Sequence, residues 1–454
     1  MARSILWFRR DLRVHEHAAL AEAHAHGEVV PLFVVDPAFE GAGAPRRAYL
    51  AAALHALDRQ LGGTLVVRRG DPVEVVPRLA AEVGADAVVV TRDHGPYGRR
   101  RDATVAERIR RDGRTFRGVG SNYAVEPGTV TKSDGTSYGV FTPYAKRWLG
   151  VGAELWADRP ATPRVSDVDW IAPASLEREE IPEVAPAVPP AGLPASDAES
   201  VRAEWASFVA DRLDDYDERR NLPGVDGTSR MSVALRWGVV HPLELIDDLH
   251  DERAHRVFRT ELAWRDFYAD VLLHRPETAW TNLQPKMDAV PVDTDAAARR
   301  RFEAWCAGTT GFPIVDAGMR QLLATGWMHN RVRMIVASFL VKDLHLPWQW
   351  GARHFMQRLL DGDLASNNHG WQWTAGTGTD ASPFYRVFNP TTQSERFDPQ
   401  GLYIRRWVPE LADVPDRVIH SPGSARPDGY PAPMVDHAAE RAEALARYQH
   451  GTSR

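Results

Sequence analysis

The periodicity of apolar residues changes once along the chain, and this change constrains the fold more than any other feature. Residues 4–91 contain four short runs rich in Val, Leu and Ile, with Ala-rich stretches of helical periodicity between them. Such alternation is typical of a parallel sheet covered by helices on both faces. From residue 198 onward the apolar spacing is helical nearly throughout. The sequence therefore predicts a doubly wound α/β domain followed by an all-helical domain.

Local signals place most elements of the N-terminal part. Asp71 is a predicted N-cap, Pro72 stands at the first helical position, and Glu74 is placed to complete a capping box. Ligands of such folds bind at the carboxyl ends of the strands. We expect strands at 4–8, 29–35, 64–68 and 86–91, and helices at 15–26, 47–61 and 72–83.

A proline-rich stretch predicts the domain boundary. Eight prolines lie between residues 160 and 194, with acidic residues among them, which favours a stiff and extended connector. We therefore expect an α/β domain in residues 1–130, a connector in residues 131–197 and a helical domain in residues 198–454.

Composition excludes several classes of protein. The 454 residues are 44% hydrophobic and 26% charged, as in soluble globular proteins. No apolar run reaches the ~18 residues of a membrane helix, and no signal-peptide pattern opens the chain, so we expect a cytoplasmic protein without membrane contact. The single cysteine excludes an internal disulfide and an iron–sulfur cluster. The net charge of −6 argues against non-specific coating of nucleic acid but leaves room for a local basic groove.

Several segments of the helical part suit a planar, phosphorylated ligand. Segment 227–232 brings hydroxyls and a guanidinium to the start of a helix, where N–H groups and the helix dipole favour an anion. Tyr216 and Arg220, one turn apart, can add a ring and a cation. The alternative is an ordinary Ser or Thr N-cap.

A second segment places Glu261, Trp264 and Arg265 on one helical face. A carboxylate, an indole and a guanidinium together can bind a base by stacking and hydrogen bonds. A surface ion pair beside a core tryptophan gives the same pattern. Nine of the 15 tryptophans follow residue 260, which invites the same choice between a planar ligand and core packing.

Two later segments carry amides on helical faces. Asn330, Arg333 and Met334 share one face, and Asn330 offers both a donor and an acceptor to a base or flavin edge. Asp363 and Asn367 are four residues apart in a stretch that opens like a calcium loop. The later ligands of such a loop are missing, so no metal site is expected.

Four runs of sequence occur in an order that is more specific than any one of them. They are Leu6–Arg13, Gly311–Leu344, Asp361–Asp380 and Asn389–Gln393. Together they resemble the photolyase/cryptochrome family, specifically the class I cyclobutane pyrimidine dimer photolyases of microbes, over nearly the full chain. The resemblance implies an α/β domain, a connector and a helical domain that binds a folded FAD.

The resemblance also implies which residues hold FAD. In that comparison Arg333 pairs with a carboxylate beside the flavin, and Asn367 lies against flavin N5, where an amide can accept from a protonated N5 or donate to a bare one. The implied FAD-binding residues are Tyr216, Thr228, Ser229, Arg230, Met231, Ser232, Arg333, Asp361, Gly362, Asp363 and Asn367.

The implied reaction is light-driven repair of UV-damaged DNA. Reduced flavin passes an electron to a flipped-out pyrimidine dimer, so the enzyme is a carbon–carbon lyase with no acid–base pair for the bond cleavage. The implied catalytic residues that contact the dimer are Glu261, Trp264, Asn330, Met334 and Trp373. The implied DNA contacts are Arg220, Glu261, Trp264, Arg265, Asn330, Arg331 and Gln393.

Two electron-transfer tryptophans are also implied. Trp371 and Trp348 match the inner members of the family's tryptophan chain, whereas the outermost member is missing near Asp295. Other tryptophans, at positions 280, 305 and 350, are candidates to replace it.

A second, antenna chromophore is expected in the α/β domain. The family's folate-binding branch carries an Asn-Glu pair where this chain has Tyr97 and Gly98. Arg46 and Asp102 instead match positions that engage 8-hydroxy-5-deazaflavin, which is the expected antenna. FMN, methenyltetrahydrofolate and an empty site are the alternatives.

A cryptochrome-type photoreceptor without repair activity is the main alternative function. The residues at the dimer-contact positions are those of repair enzymes, which favours the lyase. An electron-transfer flavoprotein is a third possibility and predicts no preference for damaged DNA. We expect a monomer without an obligate protein partner.

Overall fold

The computed structural model describes residues 2–172, 176, 178–183, 188–379 and 385–452. Asp380, the end of one family motif, and the connector residues Pro173 and Pro186 lie outside these ranges. The described residues form two compact units. The first draws on residues 1–186, 193–211 and 229–276, and the second on residues 187–192, 212–228 and 277–454.

The first unit is built on a parallel sheet of five strands in the order β3-β2-β1-β4-β5. Side chains of neighbouring β1 residues point to opposite faces. Ser4 faces the helix Ala18–His26, since its hydroxyl donates to Ala23 O, while Ile5 packs in an apolar cluster with helix residues such as Val76 and Ile109. Both faces are therefore covered, as the doubly wound prediction requires. The strands are β1 (Arg3–Phe8), β2 (Glu28–Val35), β3 (Val66–Arg69), β4 (Ala87–Val90) and β5 (Thr115–Gly118).

The helices of both units can be given in one series. In chain order they are α1 (Ala18–His26), α2 (Ala44–Gln60), α3 (Pro72–Glu82), α4 (Pro96–Arg111), α5 (Phe141–Ala157), α6 (Ala198–Asp211), α7 (Tyr216–Arg219), α8 (Ser232–Trp237), α9 (Pro242–Ile246), α10 (Arg253–His274), α11 (Ala296–Ala307), α12 (Pro313–Thr325), α13 (Asn330–Ser338), α14 (Trp348–Arg358), α15 (Leu364–Ala375), α16 (Pro390–Phe397), α17 (Leu402–Trp407), α18 (Asp416–Ile419) and α19 (His437–Thr452).

Helix ends follow the capping residues. Asp71 caps α3 by accepting from Val73 N at 2.9 Å, as predicted, but Glu74 pairs with Arg108 of α4 at 2.6 Å. Helix α1 begins three residues later than expected because the ring of His17 accepts from Leu20 N and acts as its N-cap.

The predicted connector 131–197 is not extended throughout, because α5 occupies 17 of its residues. The expected boundary at residue 198 also differs from the compact units, since α6 and α10 group with the sheet. Two buried carboxylates of α10 explain part of this grouping. Asp266 accepts from Val125 N at 2.9 Å, and Asp270 accepts from Gly128 N at 2.7 Å.

All regular secondary-structure elements in the described part of the second unit are helices, which agrees with the predicted helical character of this part of the chain. Its core packs helices closely through small residues. A Cβ on Gly318 would lie 2.5 Å from Val332 Cγ1, and one on Gly351 would lie 2.1 Å from the indole of Trp371, so glycine is required at both crossings. Within the described part of either unit, none of the helices combines the length and apolar character needed to cross a bilayer.

Candidate functional site

In the second unit, an ion pair with one unused carboxylate oxygen marks the candidate ligand site. Arg333, in the first turn of α13, donates to Met328 O and to Asp361 Oδ2, each at 2.8 Å. Asp361 precedes α15 and is buried, and its Oδ1 has no hydrogen-bond partner among the described residues. An unpaired buried carboxylate oxygen is costly, so this atom points to a donor that the chain itself does not supply.

The residues after Asp361 are held by the start of α15. Asp363 caps the helix, accepting from Ser366 N at 3.0 Å. One turn later, Nδ2 of Asn367 donates to Ala352 O at 3.1 Å and to Asn368 Oδ1 at 2.8 Å. The site thus offers a fixed carboxylate, a guanidinium and an amide, which suit the ribose hydroxyls and ring edge of a flavin nucleotide.

The predicted anion-binding residues lie at two short helices of different units. In the second unit α7 begins at Tyr216, and the Arg220 guanidinium lies 5.4 Å from the Tyr216 ring centre. In the first unit α8 begins at Ser232, and Ser229 Oγ accepts from Met231 N at 3.4 Å. A helix start in segment 227–232 is therefore confirmed, but α8 has only six residues and a correspondingly small dipole.

The aromatic face of α10, in the first unit, is rigidly supported. Trp264 stacks on Phe141 of α5, with ring centres 3.6 Å apart and planes within 10°. The ring centre of Tyr268 lies 5.3 Å from that of Trp264. Glu261 and Trp264 are both half-buried. An indole plane fixed on one face by another ring is a suitable platform for a stacked base on the other.

Arg265 has a different role from the predicted DNA contact. Its guanidinium donates to Asn122 O at 2.7 Å and to Leu235 O at 3.1 Å, and it lies 4.4 Å from the Tyr123 ring centre. The side chain is 15% exposed. Its donors hold backbone carbonyls of the unit, so the expectation of a DNA contact is not supported. Sequence spacing alone could not reveal these partners.

The other predicted DNA contacts lie on the second unit. Arg331 donates to Asn221 Oδ1 at 2.8 Å and lies 4.4 Å from the Phe397 ring centre, both neutral partners. Burial lowers the pKa of Arg331, and the charges of Arg220 and Arg396 add to this effect. Asn330 is exposed, whereas Met334, Trp373 and Gln393 are half-buried. Positive charges gathered around Arg331 suit DNA phosphates. Arg396, three residues after Gln393, adds a positive charge that the sequence analysis did not single out.

The two predicted electron-transfer tryptophans have different surroundings. Trp371 is buried, with its ring centre 6.0 Å from Trp305 and 5.1 Å from Phe355. Phe302 lies 5.8 Å from Trp305 and 5.4 Å from Trp350. Trp348, also buried, donates from Nε1 to Asn282 Oδ1 at 2.9 Å.

The expected antenna residues are embedded in the first unit. Arg46 of α2 is buried, with its guanidinium 5.7 Å from the Phe39 ring centre. Asp102 of α4 accepts from Arg9 Nη1 through both oxygens, at 2.9 and 3.0 Å, and from Arg101 at 2.9 Å. The neighbouring cavity at the ends of β1 and β4 holds about 10 Å³, close to the room for one water molecule. That cavity, which Arg9 and Asp93 help to line, has no room for a tricyclic chromophore.

Comparison with known proteins gives consistent matches for both parts of the chain. A model described as DNA photolyase matches residues 4–164, and one described as the FAD binding domain of DNA photolyase matches residues 258–450. The deoxyribodipyrimidine photo-lyase of Escherichia coli (strain K12) is 38% identical over 99% of each chain.

Solved structures agree with these matches. A bacterial class III photolyase from Agrobacterium tumefaciens superposes with a TM-score of 0.90 and 35% identity, covering 100% of this chain and 98% of that one. A cryptochrome from Synechocystis sp. PCC6803 gives 0.89 and 27% identity, covering 98% and 99%.

Proposed function

The chain belongs to the DNA photolyase family, and on this premise we propose that it is a deoxyribodipyrimidine photo-lyase that uses FAD and light to repair cyclobutane pyrimidine dimers in DNA. The observation that carries the proposal is the carboxylate of Asp361, which is paired on one oxygen with Arg333 and lacks a described donor on the other. A nucleotide cofactor with hydroxyl and N–H donors answers that need.

FAD is held, in this proposal, by the residues around Asp361 and by the two short helices. Asp361 and Asp363 accept from the ribose and ring edge, and Asn367 faces N5. Tyr216, Thr228 and residues 229–232 bind the phosphates and their ribose. Bound in its reduced form, FAD would supply under light the electron that opens the cyclobutane ring and would take it back once the two pyrimidines have separated.

The dimer is held by side chains rather than cleaved by them. Flipping the two linked pyrimidines out of the helix costs about a few kcal/mol, less than flipping intact stacked bases. Trp264, fixed by Phe141, and Trp373 stack on the extruded bases, and Glu261 accepts from a pyrimidine N3–H. Asn330 and Met334 complete the contacts, while Arg220, Arg331 and Gln393 bind the DNA backbone.

Reduction of the flavin under light is proposed to use Trp371 and Trp348. Trp305 is an alternative second member, because its ring centre lies 6.0 Å from that of Trp371. From there Phe302 bridges to the half-buried Trp350. Flash photolysis of Trp348→Phe and Trp305→Phe separates the two paths, since only the variant on the path slows flavin reduction.

Three further properties are the antenna chromophore, the cellular location and the oligomeric state. We propose that this chain works without an antenna chromophore in the small cavity at the ends of β1 and β4, and that Asp102 holds none, since Arg9 and Arg101 already use that carboxylate. Extraction of pigment from the native holoenzyme tests this, and a deazaflavin, folate or second flavin at one per chain would contradict it. We also propose that the protein is a cytoplasmic monomer without an obligate protein partner. Light scattering of the holoenzyme measures its mass and so tests the monomeric state.

Illumination of a thymine-dimer oligonucleotide with the reduced enzyme tests the function. Recovery of the ultraviolet absorbance of intact pyrimidines is expected for the native chain and is expected to fall at least tenfold in Glu261→Ala and Trp264→Ala. Glu107→Ala, an exposed carboxylate on α4, is the matched control. A native enzyme that binds FAD and repairs nothing would instead favour the photoreceptor.

A further inference from the structure

Two neighbouring asparagines of α15 form a hydrogen-bonded chain that ends on a backbone carbonyl. Asn368 is fully buried, and its Nδ2 donates to Ala279 O. Oδ1 of Asn368 accepts from Nδ2 of Asn367 at 2.8 Å. Nδ2 of Asn367 donates its second hydrogen to Ala352 O at 3.1 Å.

This chain of amides has a single direction. A backbone carbonyl accepts and never donates, so Ala279 O requires the amide nitrogen of Asn368 on its side. Oδ1 of Asn368 is thereby turned toward Asn367, which must meet it with its own amide nitrogen. Since Ala352 O takes the remaining hydrogen, the two hydrogens of Asn367 are both used within the protein. Oδ1 of Asn367 has no donor among the described residues.

We propose that Asn368 is a positioning residue that fixes the direction of the Asn367 amide and makes it a hydrogen-bond acceptor only. The inference rests on the proposed function, in which Asn367 faces flavin N5. Residue types alone allowed Asn367 either to accept or to donate. The fixed amide can accept from an N5 that carries a proton and offers no donor to an N5 that lacks one. Asn368 therefore favours the protonated state of N5 without touching the flavin.

A matched pair of variants of the FAD-loaded enzyme tests this role. Asn368→Leu removes the acceptor that holds Asn367. Gln372→Leu is the control, because Gln372 is also fully buried on α15 and binds the same segment, donating to Thr278 O at 2.7 Å and accepting from Leu283 N at 2.8 Å. Among the described residues, the side-chain hydrogen bonds of Gln372 do not include Asn367.

The readout is the absorbance spectrum of the flavin after one-electron photoreduction at neutral pH. The long-wavelength band reports the N5-protonated form, and its strength gives the ratio of the protonated to the unprotonated form. This ratio is expected to fall about tenfold in Asn368→Leu, the effect of one hydrogen bond. The ratio is expected to stay at the native value in Gln372→Leu. Asn367→Leu sets the size of the full effect.

A conservative variant protects the test against misfolding. In Asn368→Asp, a protonated carboxyl can donate to Ala279 O and accept from Asn367, and burial favours that protonated form. We expect this variant to retain the native ratio. A native ratio in Asn368→Leu together with a lowered one in Asn367→Leu overturns the inference, as do equal losses in Asn368→Leu and Gln372→Leu. Failure of the proposed function is seen separately, as a native chain that binds no FAD or repairs no dimer.

Discussion

Carboxylates at the carboxyl end of the sheet differ from the carboxylate before α15 in how fully their oxygens are used. Asp11 Oδ1 accepts from Arg9 N at 2.7 Å, and its Oδ2 accepts from Thr91 Oγ1 at 2.6 Å. Asp102 is likewise satisfied by arginines. Asp361 has a partner on Oδ2 only, among the described residues. The carboxylates of the first region have their oxygens used within the chain, whereas Asp361 keeps one oxygen for a ligand.

The largest effect on the free energy of unfolding is expected for a substitution at the carboxyl end of the sheet. Asp11→Ala removes a fully buried carboxylate and leaves the donors of Thr91 and Arg9 without an acceptor. The free energy of unfolding should fall by about 3–5 kcal/mol, measured by denaturant titration of the holoenzyme. Glu107→Ala should change it by no more than about 0.5 kcal/mol. Equal stability of both variants would show that the saturated network contributes nothing.

Asp266 extends the comparison to a buried carboxylate that accepts from neutral donors through Oδ2, while its Oδ1 has no hydrogen-bond partner among the described residues. It accepts from Val125 N and Trp148 Nε1, each at 2.9 Å, and burial raises its pKa to about 6. Because the folded pKa lies above the unfolded value near 3.8, the contribution of this group to stability is fully present below pH 3.8 and is lost as pH rises to about 6. The loss is about 3 kcal/mol.

Asp266→Asn keeps an acceptor and removes this titration. The difference in unfolding free energy between the variant and the native chain should therefore shift in favour of the variant between pH 4 and pH 7. Paired melts at both values measure it. A difference that does not change with pH would contradict the raised pKa.

The substitution Asp361→Asn instead tests the region before α15, where the proposed FAD site lies. The amide removes the charge opposite Arg333 and one acceptor of the proposed FAD site, so FAD affinity should fall about 10–100-fold, the value of a charged hydrogen bond. Fluorescence of released flavin measures it. Asp102→Asn, in the saturated region, should leave FAD affinity at the native value, and equal losses in both variants would remove the distinction between the regions.

The smallest effect concerns a guanidinium with neutral partners. Arg331→Gln should lower the slope of log affinity against log salt for dimer-containing DNA by about one, the signature of one lost phosphate contact. The control is Arg320→Gln, because Arg320 is already paired with Glu410 at 2.7 Å. An unchanged slope in Arg331→Gln would place the DNA backbone elsewhere.

Prediction from sequence succeeded where a pattern is periodic. The four predicted strands form, since continuous apolar runs bury on both faces of a sheet. The fifth strand, Thr115–Gly118, was missed because it is a short edge strand with alternately exposed residues. Helix α5 was missed within the connector because Gly150 and Gly152 weaken its pattern, although Gly152 is needed where the Trp156 ring comes within 2.4 Å of its Cβ position.

The candidate site was predictable in residue types but less so in geometry. The pair of Arg333 with a carboxylate was expected and is present. Arg265 was expected at DNA and instead holds two carbonyls from other parts of its unit. Those partners are 143 and 30 residues away along the chain, so no local spacing can report them.

The order of residues by itself determined four of the five strands, the helical character of the second part and the family, because periodicity and motif order are properties of the chain. Which oxygens and hydrogens stay available for a ligand was decided only by the tertiary structure. Each side chain has a fixed number of hydrogen-bond donors and acceptors. Groups remote in sequence occupy some of them, as Ala279 O does for Asn368 and Arg9 does for Asp102, and these are no longer available to a ligand. The amide of Asn367 is thus left with one function of the two that its chemistry allows.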